Sequence, residues 1–261
     1  MKFLNTSVLS TLFLASCVSV PGTDRRALVL ISRQQELKMG EDAWKEIQAK
    51  EKVSRDARLN QILNRVGQRV SAQAQVQDFQ WEFLLIESKA KNAFCLPGGK
   101  VAFYTGILPV LENEAAMAIV MGHEVAHAVA RHGAQRVSQG LALQLGLSVF
   151  DAAVLQDSRY RNLILGGLGL GAQVGVALPF SRSHETEADV MGLRFAAAAG
   201  YDPQEGARFW KRFGSGGGAK PPEFLSTHPS DHQRVQNLQK LAEDVQRLYE
   251  NSPRYGLGDK L

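Results

Sequence analysis

The sequence predicts a mostly α domain carrying a small β-sheet, an α+β arrangement, and three observations predict it. Leu59, Ile62, Leu63, Val66 and Val70 recur at i, i+3, i+4, i+7 and i+11, which lines one face of a helix. The stretches FQWEFLLIES (79–88) and KVAFYTGIL (100–108) are aromatic and β-branched with near-alternation, as strands are. MGHEVAHAVARH (121–132) embeds charged and imidazole groups in an apolar run, the composition of a buried helix.

In chain order, MKFLNTSVLSTLFLAS has a lysine at position 2, a short apolar segment and small residues at its end, the layout of a secretory leader over 1–16. Leu14-Ala15-Ser16-Cys17 resembles a bacterial lipobox, which predicts Cys17 as a lipidated mature N-terminus. An ordinary leader cleaved near a cysteine is the alternative. Val18 rather than aspartate after the cysteine points to the outer membrane in a Gram-negative host. Residues 17–33 are expected to be a tether and 34–250 a single domain, since 261 residues suit one large core. With Cys17 lipidated, Cys95 has no partner for an intramolecular disulfide, so packing must hold the fold.

Residues 34–74 read as helical. The strand at 79–88 is followed by the loop KAKN, the turn Pro97-Gly98-Gly99 and the strand at 100–108, as a hairpin or an adjacent pair. Asn113 can cap a helix running to about His132-Gly133. Residues 139–180 are rich in Gly, Ala and Leu, but Asp151, Asp157, Arg159 and Arg161 divide them. They are expected as close-packed helices or a membrane-facing hairpin. Helices follow at about 184–199, ending at Gly200, and 203–213. Ser230 and Gln233 form a capping box for a last helix whose core face is Val235, Leu238, Leu241, Val245 and Leu248. The tail 251–261 is expected to be loose. The net charge of +4 is small and the basic residues are scattered, so nothing supports nucleic-acid binding.

His123 and His127 are four apart, so on a helix both rings can reach one point, and Glu124 can reach a water held there. This HExxH pattern is that of a zinc site with a carboxylate base. Ala116, Met117, Ile119, Val120, Val125, Ala126 and Val129 leave the helix hardly any polar face, so the buried groups need a shared partner such as a divalent cation. A third ligand is sought in SRSHETEAD (181–189), where Glu185 and Asp189 are again four apart. Glu185 could bind the metal while Asp189 orients a ligating ring. His184 and Glu187 compete with Glu185 for that place.

The motifs NAFCLPGGKVAFYTGIL, HEVAHAVARH, LPFSRSHETEAD and STHPSDHQR together resemble a gluzincin metallopeptidase family, over about residues 34–250. That family includes the CAAX prenyl protease, the heat-shock membrane protease and a mitochondrial stress-activated protease. Within it, the chain resembles bacterial envelope lipoproteins concerned with quality control. The resemblance implies a zincin-type domain and one zinc (Zn2+) on His123, His127 and Glu185. It further implies Glu124 as general base, Asp189 behind a ligand, and His228 near the metal with Arg234 steadying it. In relatives that histidine either supports the transition state or fills the open position in a latent state. Lys100, Val101, Ala102 and Phe103 resemble the edge strand on which an extended substrate pairs. The implied partners are polypeptides, unfolded or misassembled envelope proteins, with a membrane reached through the N-terminal lipid. A chaperone-like lipoprotein that acts by binding, or an integral membrane protease using 141–180 as spans, are the alternatives.

Overall fold

A computed structural model describes residues 17–21, 23, 25–145, 160–170, 180–215, 223–228 and 232–261. The leader and Ser230 lie outside the described residues, as do 146–159 and 171–179 of the Gly/Ala/Leu-rich run. Among the described residues no helix is long and apolar enough to cross a membrane.

The described residues begin with strands β1 (Cys17–Ser19) and β2 (Arg26–Leu28), paired antiparallel with Cys17 opposite Leu28. The expected tether is therefore a ribbon packed on the domain. Its physical reason is visible afterwards: Ala27, Val29 and Ile31 alternate, and all three are buried together with Val20. Helix α1 (Arg33–Lys50) starts on a capping box of Ser32 and Gln35, and α2 (Ala57–Ala72) starts on Asp56. The stripe read from the sequence packs inward, with Ile62, Leu63, Val66 and Val70 at most 2% exposed.

Three strands form the main sheet: β3 (Glu82–Ile86), β4 (Ala93–Leu96) and β5 (Lys100–Tyr104), in the order β3-β5-β4. β5 runs parallel to β3, with Phe83 opposite Val101, and antiparallel to β4, with Cys95 opposite Val101. The adjacent-pair reading therefore holds, and NAFCL supplies a strand that the sequence had shown only as the approach to a turn. Gly98 and Gly99, at φ 88° and 84°, make the turn from β4 into β5. β5 is thus the middle strand, not an edge. Lys100, Val101, Ala102 and Phe103 have both ladders occupied and are at most 3% exposed, so they offer no backbone to a substrate. Lys100 Nζ instead donates to Gln80 O at 3.0 Å and pairs with Glu82. The far side of β3 is covered by Lys52–Ser54, whose backbone bonds Leu85 and Glu87. Among the described residues, β4 keeps an outer edge without a strand partner.

After the short helix α3 (Leu108–Leu111) comes α4 (Glu114–Val129), capped by Asn113 Oδ1, which accepts from Ala116 N at 2.8 Å. Every residue of α4 is buried, as its apolar composition predicts. It ends at Ala130, short of His132; Arg131, at φ 59°, turns the chain so that His132 begins α5 (His132–Leu145). Of the Gly/Ala/Leu-rich run, residues 139–145 belong to α5, and α6 (Arg161–Leu165) with the turn Gly166–Leu170 packs against that helix. Arg136 donates to the carbonyls of Gly166 and Gly167.

Helix α7 (Arg182–Ala198) crosses α4 and stops at Gly200, whose φ of 88° is the usual left-handed ending. The crossing is closest at Gly122 and Gly192: a Cβ on Gly192 would lie 2.6 Å from Gly122 C and from His123 N. Helices α8 (Glu205–Ser215), α9 (Glu223–Thr227), α10 (His232–Asp244) and α11 (Gln246–Glu250) complete the domain. The single last helix expected is broken at Val245, which leaves Leu248 41% exposed and off the core face. The tail is not loose. Tyr255 N donates to Gly200 O (2.8 Å), Leu261 N to Glu112 O (3.0 Å), and Asp259 O accepts from Glu114 N (3.1 Å). It satisfies backbone groups around the start of α4 that would otherwise lack partners.

Candidate metal centre

Helix α4 delivers His123, Glu124 and His127, α7 delivers Glu185 and Asp189, and the segment after α9 delivers His228. His123 Nε2 lies 3.0 Å from His127 Nε2 and 3.2 Å from His228 Nδ1. Glu185 Oε1 is 3.0 Å from His228 Nδ1 and 3.3 Å from His127 Nε2, and Glu185 Oε2 is 3.4 Å from His123 Nε2. Separations of 3.0–3.4 Å are those of donors sharing one ion at about 2 Å each in a tetrahedral set. Three imidazoles and a carboxylate, all 2–4% exposed, are a donor set that suits zinc.

Of the three candidates for the third ligand, the geometry brings only Glu185 to this point. His184 Nε2 turns away to Gln135 Oε1 (3.1 Å), and Glu187 faces His132 Nε2 (2.7 Å) and Arg25. Asp189 Oδ1 lies 3.0 Å from His123 Nδ1. A carboxylate only accepts, so Nδ1 carries the hydrogen and Nε2 turns its lone pair to the centre. Arg234 grips Asp189 through Nε (2.8 Å) and Nη2 (2.7 Å), brings Nη1 to 2.6 Å from Glu185 Oε2, and stacks on Trp210. It steadies the two carboxylates rather than His228 itself. His228 is held by stacking on Phe224 (4.4 Å between centroids).

Sequence reasoning missed His132, whose Nδ1 lies 2.9 Å from His127 Nδ1. The signal was present as the last residue of HEVAHAVARH. Nothing local, however, shows that a chain reversal at Arg131 brings it back onto His127.

Electrostatics follow from burial and the carboxylates. Burial disfavours the His123 imidazolium, yet Glu185 and then Asp189 outweigh it and raise the ring from 6.5 to about 9. Burial holds His127 well below its ordinary value. Burial raises Glu124, eased by His228 and His123; its Oε1 has no hydrogen-bond partner and lies 3.5 Å from His228 Nε2. Without metal, the His123 ring is therefore held in its charged form near neutral pH. The raised value stabilises the metal-free fold fully below pH 6.5, and that contribution is lost as the pH rises through about 9. A metal held by His123 would have to displace that ring's proton, so with His123 as a ligand zinc affinity is expected to increase between pH 6.5 and 9. Chelator competition across that window checks this, and a flat profile contradicts it.

The profile of Peptidase family M48 matches residues 54–242, well over half of the chain. The chain belongs to that family. Mitochondrial metalloendopeptidase OMA1 of Schizosaccharomyces pombe is 32% identical over 241 residues, covering 90% of this chain and 69% of that protein. The protein of the same name from Saccharomyces cerevisiae is 30% identical over 260 residues, covering 92% and 73%. The beta-barrel assembly-enhancing protease of Escherichia coli is 27% identical over 243 residues, covering 90% of this chain but 50% of its own length. As an M48 peptidase the chain is a zinc metalloendopeptidase, and the mostly helical fold with HExxH on a buried helix agrees with it.

Proposed function

We propose that this M48 peptidase cleaves unfolded or misassembled proteins of a bacterial envelope, with His123, His127 and Glu185 as the zinc ligands. The observation that carries the reading is the convergence of those three side chains, together with the unpartnered carboxylate oxygen of Glu124 beside them. Zinc held there supplies a Lewis acid that makes water nucleophilic near neutral pH. Glu124, raised by burial, takes the proton of the attacking water and passes it to the leaving amine. Asp189 and Arg234 keep the His123 ring oriented. His228 Nδ1 lies 3.2 Å from His123 Nε2 and 3.0 Å from Glu185 Oε1, so it would join the donors of a metal held there, and its ring would have to swing for substrate to enter. In the swung position its ring is free to stabilise the developing oxyanion.

Substrate is placed on β4 rather than on β5. Phe94, Cys95 and Pro97 line a cleft with Glu124, His127 and His228, and although the residues of β4 are at most 7% exposed, its outer edge has no strand partner among the described residues and is the edge we assign to backbone pairing with a client. Pairing of that kind is indifferent to side-chain sequence and requires an extended chain, which favours unfolded clients. The zinc-loaded chain is expected to cut a reduced, unfolded polypeptide and to spare its folded form; equal cutting of both would overturn the client assignment.

The leader and Cys17 support lipid attachment at the periplasmic face of a membrane, and the beta-barrel assembly-enhancing relatives accord with an outer-membrane setting. Cys17→Ala is expected to move the chain from the membrane to the soluble fraction; retention in the membrane would remove the anchor from this account.

A further inference from the structure

We propose that the N-terminal ribbon is a working part of the metal centre: Arg25 clamps Glu187, Glu187 holds His132, and His132 fixes the ring of His127. The inference rests on the reading that His127 Nε2 is a zinc ligand.

The two ligating rings are backed differently. His123 leans directly on Asp189, which Arg234 grips. His127 has no carboxylate at its Nδ1; it has the ring of His132, Nδ1 to Nδ1 at 2.9 Å. Two ring nitrogens at that distance require one hydrogen between them, and which ring owns it decides whether His127 can bind metal. The far side of His132 settles the matter. Its Nε2 lies 2.7 Å from Glu187 Oε2, and a carboxylate only accepts, so the His132 hydrogen is on Nε2. Its Nδ1 then accepts from His127 Nδ1–H, and His127 Nε2 is left with a lone pair aimed at the centre.

Glu187 would not stay in place unaided, being on the opposite flank of α7 from Asp189. Arg25 reaches from the turn of the ribbon and donates Nε to Oε1 (3.1 Å) and Nη2 to Oε2 (2.6 Å), a two-pronged grip. Its remaining prong, Nη1, donates to Gln135 Oε1 (3.1 Å), the atom that also meets His184 Nε2. The His184 ring stacks on His132 at 4.2 Å and 17°, so His132 is fixed in its plane as well as along its axis. His132 is wholly buried, whereas the Arg25 side chain is 36% exposed. Each zinc-binding imidazole therefore ends in an arginine–carboxylate pair, and one of those arginines belongs to the segment just after Cys17. Arg25, Glu187 and His132 are positioning residues, since none of them meets substrate.

The experiment uses the full chain with zinc and measures chelator competition and the visible spectrum of the cobalt-substituted protein. Removing partners behind a ligand typically lowers metal affinity by roughly 10–100-fold. His132→Phe is expected to fall in that range and Arg25→Ala to fall several-fold, with an altered cobalt spectrum in both. Because both act along one chain of bonds, Arg25→Ala with His132→Phe together should lose no more than His132→Phe alone. Arg25→Ala truncates a partly exposed side chain and leaves the core intact, so it decides alone if His132→Phe does not fold. Wild-type affinity and an unchanged cobalt spectrum in Arg25→Ala overturn the proposal, as do losses that simply add. A wild-type chain that takes up no zinc overturns the metal-centre reading itself, a result distinct from either.

Discussion

Glu124→Gln is expected to keep its zinc and lose cleavage by about 10²–10⁴-fold, the range that a positioned general base contributes. Glutamine has the shape of glutamate but cannot take up a proton at neutral pH. The substituted side chain lies in a space where burial already disfavours the charged carboxylate, and Glu124 Oε1 has no hydrogen-bond partner. Folding therefore does not depend on the charge, and the melting temperature should not fall. Metal content, melting temperature and cleavage of an unfolded polypeptide, measured on one preparation, separate the possibilities. Undiminished cleavage would remove Glu124 from the chemistry, and loss of zinc would make it part of the donor set. If Glu124→Gln still supported growth wherever the wild type is required, a binding function would be the better account.

Gly192→Ala should damage the site from a distance. The new methyl group would sit 2.6 Å from Gly122 C and His123 N, both backbone atoms of α4. No side chain can swing aside, so α4 and α7 must separate. Overpacking of this kind costs about 1–3 kcal/mol, which for a domain of this size lowers the melting temperature by about 2–4 °C per kcal/mol. The separation also pulls His123 and Glu185 apart, because they stand on the two helices that part. Zinc affinity should therefore drop along with stability. Gly214→Ala is the control: nothing lies within 4 Å of its added carbon, and alanine favours a helix more than glycine does. Wild-type zinc affinity in Gly192→Ala would show that the helices can part without disturbing the donors.

The contrast between those two glycines marks the limit of what the sequence reveals. HExxH and the Glu185/Asp189 pair were legible because helical periodicity turns a spacing of four into a shared face, wherever the helix lies. The stripe at Leu59–Val70 and the cap at Asn113 were legible for the same local reason. That Gly122 must face Gly192 is a fact about two helices seventy positions apart in the chain, and spacing carries no trace of it. β4 was obscured by its brevity and by the Pro97-Gly98-Gly99 turn beside it, so β5 was mistaken for the edge. No local spacing marks Arg131, whose left-handed backbone returns His132 to His127. Residues 17–33 and 251–261 were expected as a tether and a loose tail, whereas the first forms a ribbon paired within itself and the second bonds its backbone to Glu112, Glu114 and Gly200.

The docked C-terminal segment has a consequence for an enzyme that prefers extended chain. Such an enzyme threatens its own copies wherever they present a strand end to be seized. Here Tyr255, Asp259 and Leu261 have main-chain atoms committed to Gly200, Glu114 and Glu112, and the Lys260 carbonyl accepts from Arg58 Nη2 (2.7 Å). A neighbouring copy would have to peel that segment away before it could be drawn alongside β4. If clients are captured through main-chain bonds as proposed, the bonds already made by Tyr255, Asp259 and Leu261 withhold this segment from such capture.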